Sequence, residues 1–475
     1  MSKKLMILVV LVLGASMAST AMAQGRPFGQ IANDFLVGGQ FAGTIVNPEG
    51  KGDALIFPYY DVRVVNAKTQ TTYFAIINEA MTNTPAGGVA AKLRFREWDK
   101  SEEVFDADIW LSKNDVWVGV LTRNPLNGLT TLTSPDNVIT SFTGTTFTVQ
   151  TPLAGGFDFF TTFAPGGAMN TKAPPSGFTA ADLTNMGYFE VIGEELTADK
   201  ASGGKVTRLL QDCPNTLSGY AFVVRIDDGQ AQGYNATAIA NFSRGLGSLF
   251  RGPGDVFPDL LACEDGLGQL EFELSKARVY QGYSIETSIA AKFSMIMTFP
   301  TKHFHFTGRP NYLWNDLYPF SGDTANSGEI VHVHIYDRNE NPFQPEEGWW
   351  SPRITPQIAL PWEVNVVGLY QAAGPTLPAI GQRDNLAFTT GGFDSGWVWF
   401  DLFASDIASD LQHYAWYDDY DNYNGLFGHL GRGFYRYDGL PVVALGWQEF
   451  VNLTVGAGYY GTSSPAFYEV SWWED

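Results

Sequence analysis

The sequence predicts an all-β fold made of two β-sandwich domains joined by a Gly/Pro-rich segment, with few short helices. Three observations carry this. Between Thr71 and Leu121, apolar and polar residues alternate at a period of two, the mark of strands with one face inward. Turn residues separate these runs at roughly ten-residue intervals, a spacing suited to short strands in sandwiches. The 51 glycines and 25 prolines supply the turns that such a chain needs. No apolar set in this stretch repeats at three to four residues, so helices do not explain it.

In chain order, residues 1–23 read as a signal peptide. Lys3 and Lys4 form a charged start, Leu5 to Leu13 is apolar but short for a bilayer span, and Ala21-Met22-Ala23 is a cleavage site. Residues 24–53 form an N-terminal arm or a first edge strand. The first domain, 54–250, opens on Leu55 to Val62, where Pro58 cannot donate to a ladder and so predicts an edge or a bend. Strands follow at Tyr73–Ile77, Lys92–Trp98, Val104–Leu111 and Val116–Leu121. Leu93, Phe95, Phe105, Ala107, Ile109 and Leu111 are expected inside. Lys92, Arg94, Arg96, Asp106, Asp108 and Trp110 are expected to meet water. The Thr/Ser/Gly/Pro-rich stretch 124–180 reads as an insertion with a hairpin around Thr145 to Val149. Beyond it lie strands at Tyr188–Ile192, Tyr220–Ile226 and Ala236–Ala240, and a short helix near Val206–Gln211. Such sheets would stack in an immunoglobulin-like or jelly-roll-like manner.

Glycines at 245, 247, 252, 254, 266 and 268 place a linker at 251–269. The second domain, 270–475, has strand patterns at Ala291–Phe299, Lys302–Phe306, Ile330–Tyr336, Trp362–Val367, Trp397–Leu402, Pro441–Leu445, Phe450–Val455 and Phe467–Trp473. No fixed-period repeat is present.

Composition bounds the function. Without residues 1–23 the chain keeps 452 residues with 27 basic and 50 acidic side chains, a net charge of −23. That charge disfavours nucleic acid and anionic lipid and favours divalent cations. No later run is long and apolar enough for a membrane span. Two cysteines, Cys213 and Cys263, in an exported chain read as a disulfide closing a loop of about 50 residues, worth roughly 4 kcal/mol in the chain-entropy model.

The Leu55-Ile-Phe-Pro-Tyr-Tyr-Asp61 entry, the Phe95 to Trp117 block and Gly439-Leu-Pro-Val-Val-Ala-Leu-Gly-Trp-Gln448 resemble secreted bacterial surface proteins of unknown function. Those motifs mark strands and turns. The resemblance therefore implies a compartment (periplasm, cell surface or exterior) and a tandem sandwich build, with no catalytic residues.

Four of the six histidines fall in two H-x-H pairs, His303/His305 and His332/His334. On adjacent strands, such pairs would bring four imidazoles to one face, a set suited to Zn²⁺ or Cu²⁺. The second pair resembles a cupin-type metal motif, with Gly328 and Glu340 at spacings that depart from it. Asp418, Asp419 and Asp421 concentrate oxygen donors in a Tyr-rich loop that suits an irregular Ca²⁺ site, although no EF-hand register fits. Trp349, Trp350, Trp397 and Trp399 are candidates for stacking on sugar rings, with core packing as the plainer role. No H-E-x-x-H, G-x-S-x-G or P-loop occurs.

The leading expectation is an exported, non-enzymatic surface or extracellular protein. It would bind itself or other surface components, with Ca²⁺ bridging acidic loops. A metal-dependent enzyme built on the paired histidines is the second reading, and a carbohydrate-binding module built on the tryptophans the third. A flat aromatic strip on one sheet would favour the third.

Overall fold

The computed structural model describes residues 36–37, 40–41, 44–65, 67–79, 88–136, 138–143, 146–150, 156–159, 179–194, 198–199, 205–206, 215–227, 229–242, 258–263, 267–305, 329–343, 357–371, 384–402, 439–452 and 458–469. The fold is all-β, as expected. Four large sheets, of ten, six, five and five strands, stack as two sandwiches.

In the first sandwich the ten-stranded sheet is centred on Glu103–Ser112, Gly88–Glu97, Met186–Glu194 and Ala54–Asp61, each antiparallel to the next. Opposite it, Val116–Arg123, Thr71–Asn78 and Leu217–Arg225 form the middle of the six-stranded sheet. The expected inward residues, from Leu93 to Leu111, are all buried. Phe74 bridges the two sheets, its ring centroid 4.8 Å from Phe189 and 5.9 Å from Phe95. The hairpin expected near Thr145 is present, with Val138–Thr143 paired to Thr146–Gln150. The arm contributes Ile45–Val46 as an edge strand beside Thr237–Ala240. Of the helix expected near Val206, only Lys205–Val206 is described, and it is a short strand.

Pro58 lies at a local edge and register shift, as expected, although its strand as a whole has neighbours on both sides. The ladder is arranged around the missing N–H. Pairing with Met186–Glu194 shifts register between Gly187 and Phe189, and pairing with Thr237–Ala240 reaches only Ile56. The Pro58 carbonyl instead accepts from Thr298 Oγ1 at 2.6 Å, a residue of the second sandwich.

The expected water-facing side of the central strands is buried, and this is the largest correction. Lys92, Arg94, Arg96, Asp106 and Asp108 are at most 5% exposed. Alternation of apolar and charged residues looks the same whether the charged face meets water or opposite charges. Here cross-strand register sets Lys92 against Asp108 and Arg94 between Asp106 and Glu190. Lys92 Nζ lies 3.3 Å from Asp106 and 3.6 Å from Asp108, and Arg96 Nε donates to Glu190 at 2.6 Å. Further along the same sheet face, Ile56, Ile192 and Ile239 pack against Leu260, Leu267, Leu270 and Leu274. Leu267, Leu270 and Leu274 line one side of the Leu267–Leu274 helix, at spacings that repeat a helical face.

The second sandwich pairs an outer sheet of Gln357–Leu360, Glu329–Asp337, Ser395–Asp401, Arg278–Ser284 and Phe467–Glu469 with an inner one. The inner sheet contains Leu386–Thr389, Val364–Tyr370, Lys292–Thr298, Val443–Asn452 and Gly458–Pro465. Val443–Asn452 is continuous where two strands were expected. Phe293, Met295 and Met297 face the outer sheet in one core cluster. Ile296, Val364, Val366, Leu445 and Trp447 belong instead to the core of the first sandwich, so the inner sheet is buried on both faces. Trp447 meets Tyr59 edge-on at 5.7 Å, Trp98 meets Trp362 at 5.1 Å, and a buried Arg225–Glu449 pair lies at 3.5 Å.

The strand expected at Lys302–Phe306 is not formed by its described part, Lys302–His305. Lys302–His305 forms a 3-10 turn in which Phe304 N donates to Thr301 O and the buried Lys302 Nζ donates to Leu360 O and Pro361 O. Of the expected Cys213–Cys263 pair, only Cys263 is among the described residues. Cys263 Sγ is buried 3.3 Å from Thr44 Oγ1, Cys213 lies outside the described residues, and no disulfide pair forms among those described.

The ionic face has a consequence for pH dependence. Among the described residues, buried acids (Asp106, Asp108, Glu190, Glu194 and Asp259) outnumber the three buried cations there (Lys92, Arg94 and Arg96). Neither carboxyl oxygen of Glu194 has a hydrogen-bond partner among the described residues. Burial, then Asp108, pushes the Glu194 carboxyl well above its usual range, and burial pushes Asp108 up to about 6. Because the folded state holds these protons more tightly than the unfolded one, their contribution is lost as pH rises from about 4 through the folded values. Glu194→Gln, permanently neutral, is expected to raise Tm at pH 8 and to leave it unchanged at pH 4. Equal shifts at both pH values would show that Glu194 is already ionised in the fold.

Candidate functional site: an aromatic face on the outer sheet

The outer sheet of the second sandwich turns Val331, Val333, Ile335, Val398, Phe400 and Val279 inward, where all are buried. Period-two alternation then turns the residues between them outward. Register arranges these in rows across three strands. One row is His332, Asp401 and Arg278; the next is His334, Trp399 and Tyr280; the third is Tyr336, Trp397 and Gly282. The aromatic members are half-buried rather than covered.

The rings form one contiguous group. Tyr336 and Trp397 stack with centroids 4.0 Å apart and planes 3° from parallel. Trp399 lies 5.1 Å from Trp397 and 5.5 Å from Tyr336, tilted to both, and His334 lies 4.8 Å from Trp399. The Arg278 guanidinium carbon sits 5.1 Å from the Trp399 ring, a cation–π arrangement. Polar groups border the rings. Arg278 Nε is 3.9 Å from Asp401 Oδ2, and Gln357 Nε2 is 3.2 Å from His332 Nε2. At the far end Asp337 accepts from Asn339 N and Asn341 N, and Arg338 reaches both Glu286 and Asp394.

Burial, with smaller contributions from Arg278 and His332, pushes His334 down to about 4. It is therefore a neutral ring at neutral pH, and it serves the group as an aromatic surface.

The strand placement expected for the first histidine pair is corrected. His303 and His305 lie in a 3-10 turn, where a spacing of two no longer repeats a face. His303 is buried against Phe304, with ring centroids 3.8 Å apart. His332 and His334 do share a strand face, but no group of three His, Cys, Asp or Glu able to hold a metal ion forms among the described residues. Asp418, Asp419, Asp421, Trp349 and Trp350 lie outside the described residues. Of the four tryptophans, Trp397 and Trp399 are brought together. Sequence reading missed Tyr336, Tyr280, Arg278 and Asp401 as their companions. The signal was present in the i, i+2 spacing of His334/Tyr336 and of Trp397/Trp399, but strand pairing was needed to join them.

No helix among the described residues is long and apolar enough to cross a membrane. Comparison with family models, with known proteins and with solved structures finds no match to the chain.

The neutral state of His334 is open to measurement. Its imidazole resonances are expected to stay constant from pH 8 to pH 5 and to titrate only near 4. Its share of folding stability should be complete above the unfolded value of about 6.5 and fall as pH drops toward 4. A His334 titration midpoint near 6.5 would place the ring in free solvent rather than against Trp399.

Proposed function

We propose that the chain is an exported, non-enzymatic binding protein of the cell surface or extracellular space that recognises carbohydrate through this aromatic face. The observation that supports the reading is the convergence of Tyr336, Trp397 and Trp399 on one sheet face whose other side is packed core. Pyranose rings with equatorial substituents present apolar C–H faces, which stack on aromatic rings, and hydroxyls around their edge, which seek hydrogen bonds. Apolar aromatic surface with a few placed polar groups is the composition that small-molecule sites favour. Here Asp401, Arg278, His332 and Gln357 occupy the edge. The strong negative charge of the chain, −21 by formal count, points to uncharged rather than anionic polymers.

Affinity electrophoresis tests the reading. The mature protein is run through gels containing hydroxyethyl cellulose, xylan, galactomannan or soluble starch. Retardation is expected in at least one. Trp397→Ala and Trp399→Ala are each expected to weaken it by about tenfold or more, with near-UV circular dichroism confirming that the fold is kept. Migration unaffected by every polymer, or equal retardation of the variants, would overturn the proposal.

A further inference from the structure

The rows of the outer sheet hold one vacant place. Arg278 stands beside Asp401, Tyr280 beside Trp399 and Ser284 beside Ser395, whereas the residue beside Trp397 is Gly282. Gly282 is exposed. The backbone does not require a glycine there. Gly282 is absent from the residues with positive φ, and an added Cβ would meet only Gly396 O, at an ordinary 3.8 Å. Glycine inside a strand weakens it, and besides bulges and bends it often marks a place where a ligand or another backbone approaches closely. No register shift interrupts the pairing of Arg278–Ser284 with Ser395–Asp401.

The ring geometry fits a guest at that place. Tyr336 covers one side of Trp397 in parallel at 4.0 Å, from the neighbouring strand. Gly282 lies on the neighbouring strand to the other side, so the space above it borders the opposite side of the indole. Strands are about 4.8 Å apart, close to the thickness of one stacked ring. Tyr280 and Ser284 flank Gly282 two residues away on the same face, each bearing a hydroxyl.

Resting on the carbohydrate reading above, we infer that the shelf over Gly282 is a subsite for one uncharged pyranose ring of a β-linked chain, stacked on Trp397 opposite Tyr336. In β-1,4-linked glucose or xylose every substituent is equatorial, which keeps both ring faces apolar while the hydroxyls project sideways toward Tyr280 and Ser284. The missing side chain of Gly282 is the specificity-determining feature.

Titration of intrinsic tryptophan fluorescence with hexasaccharides of β-1,4-glucose, β-1,4-xylose, β-1,4-mannose and α-1,4-glucose tests this in wild type, Gly282→Ala, Gly282→Val and Trp397→Ala. Wild type is expected to bind at least one β-linked hexamer. Alanine should weaken that binding slightly and valine by about tenfold or more, approaching the loss in Trp397→Ala. Tm should hold or rise in both glycine variants, because the added Cβ meets only Gly396 O, at an ordinary 3.8 Å, and both alanine and valine are better strand residues than glycine. If Gly282→Val binds like wild type while Trp397→Ala does not, the shelf is wrong and the carbohydrate reading stands. If wild type binds only the α-linked hexamer, the β-linked assignment of the shelf is overturned. If wild type binds none of the four, both inferences fall.

Discussion

The inner sheet of the second sandwich is apolar on both faces, and the placement of everything else depends on its being covered twice. Met295 and Met297 face one way and Ile296 the other along a single strand, so consecutive side chains serve different cores. A strand with this pattern is stable only between two layers. The first sandwich supplies one layer, through Tyr59 against Trp447 and Trp98 against Trp362. The outer sheet supplies the other. Among the described residues, the aromatic face is therefore the last of a series of stacked layers. Its half-buried residues alternate with core residues, so the packing of the core sets where each ring stands.

The same economy explains the ionic face of the first sandwich. Burying Lys92, Arg94 and Arg96 would be costly alone, and each is matched by acids on neighbouring strands. The matching is unequal, because among the described residues acids exceed cations there, and burial raises the proton affinity of groups such as Glu194 and Asp108. Hydrophobic cover from the Leu267–Leu274 helix closes the adjoining part of that sheet face. Charge and apolar contact thus share one surface.

Much of the fold was legible in the sequence because a period of two survives any tertiary context. The core residues from Leu93 to Leu111 and the strands at Thr71–Asn78, Val116–Arg123 and Glu329–Asp337 follow from it. Periodicity tells which residues share a face, but it cannot tell what that face meets. That is why Lys92 and Asp108 were assigned to water, and why the second core behind Ile296 was invisible. At Lys302–His305 the local pattern lost to tertiary contact, since the turn buries a lysine on two carbonyls of a distant strand end. Half of the aromatic site was legible as Trp397 and Trp399. The remainder depends on register between strands more than 60 residues apart in sequence, as Tyr336 and Trp397 are.

The two-sided sheet also sets an order in time. A chain emerging from its N-terminus presents Tyr59 and its neighbours hundreds of residues before Trp447 arrives to cover them. Contacts of such sequence separation form slowly, and sticky surface stays open meanwhile. Mutual repulsion among chains that carry so much more acid than base keeps those half-made surfaces apart. The acidity of the sequence then has a use before the native state exists: it protects a molecule that cannot finish its first half until it has nearly finished its second.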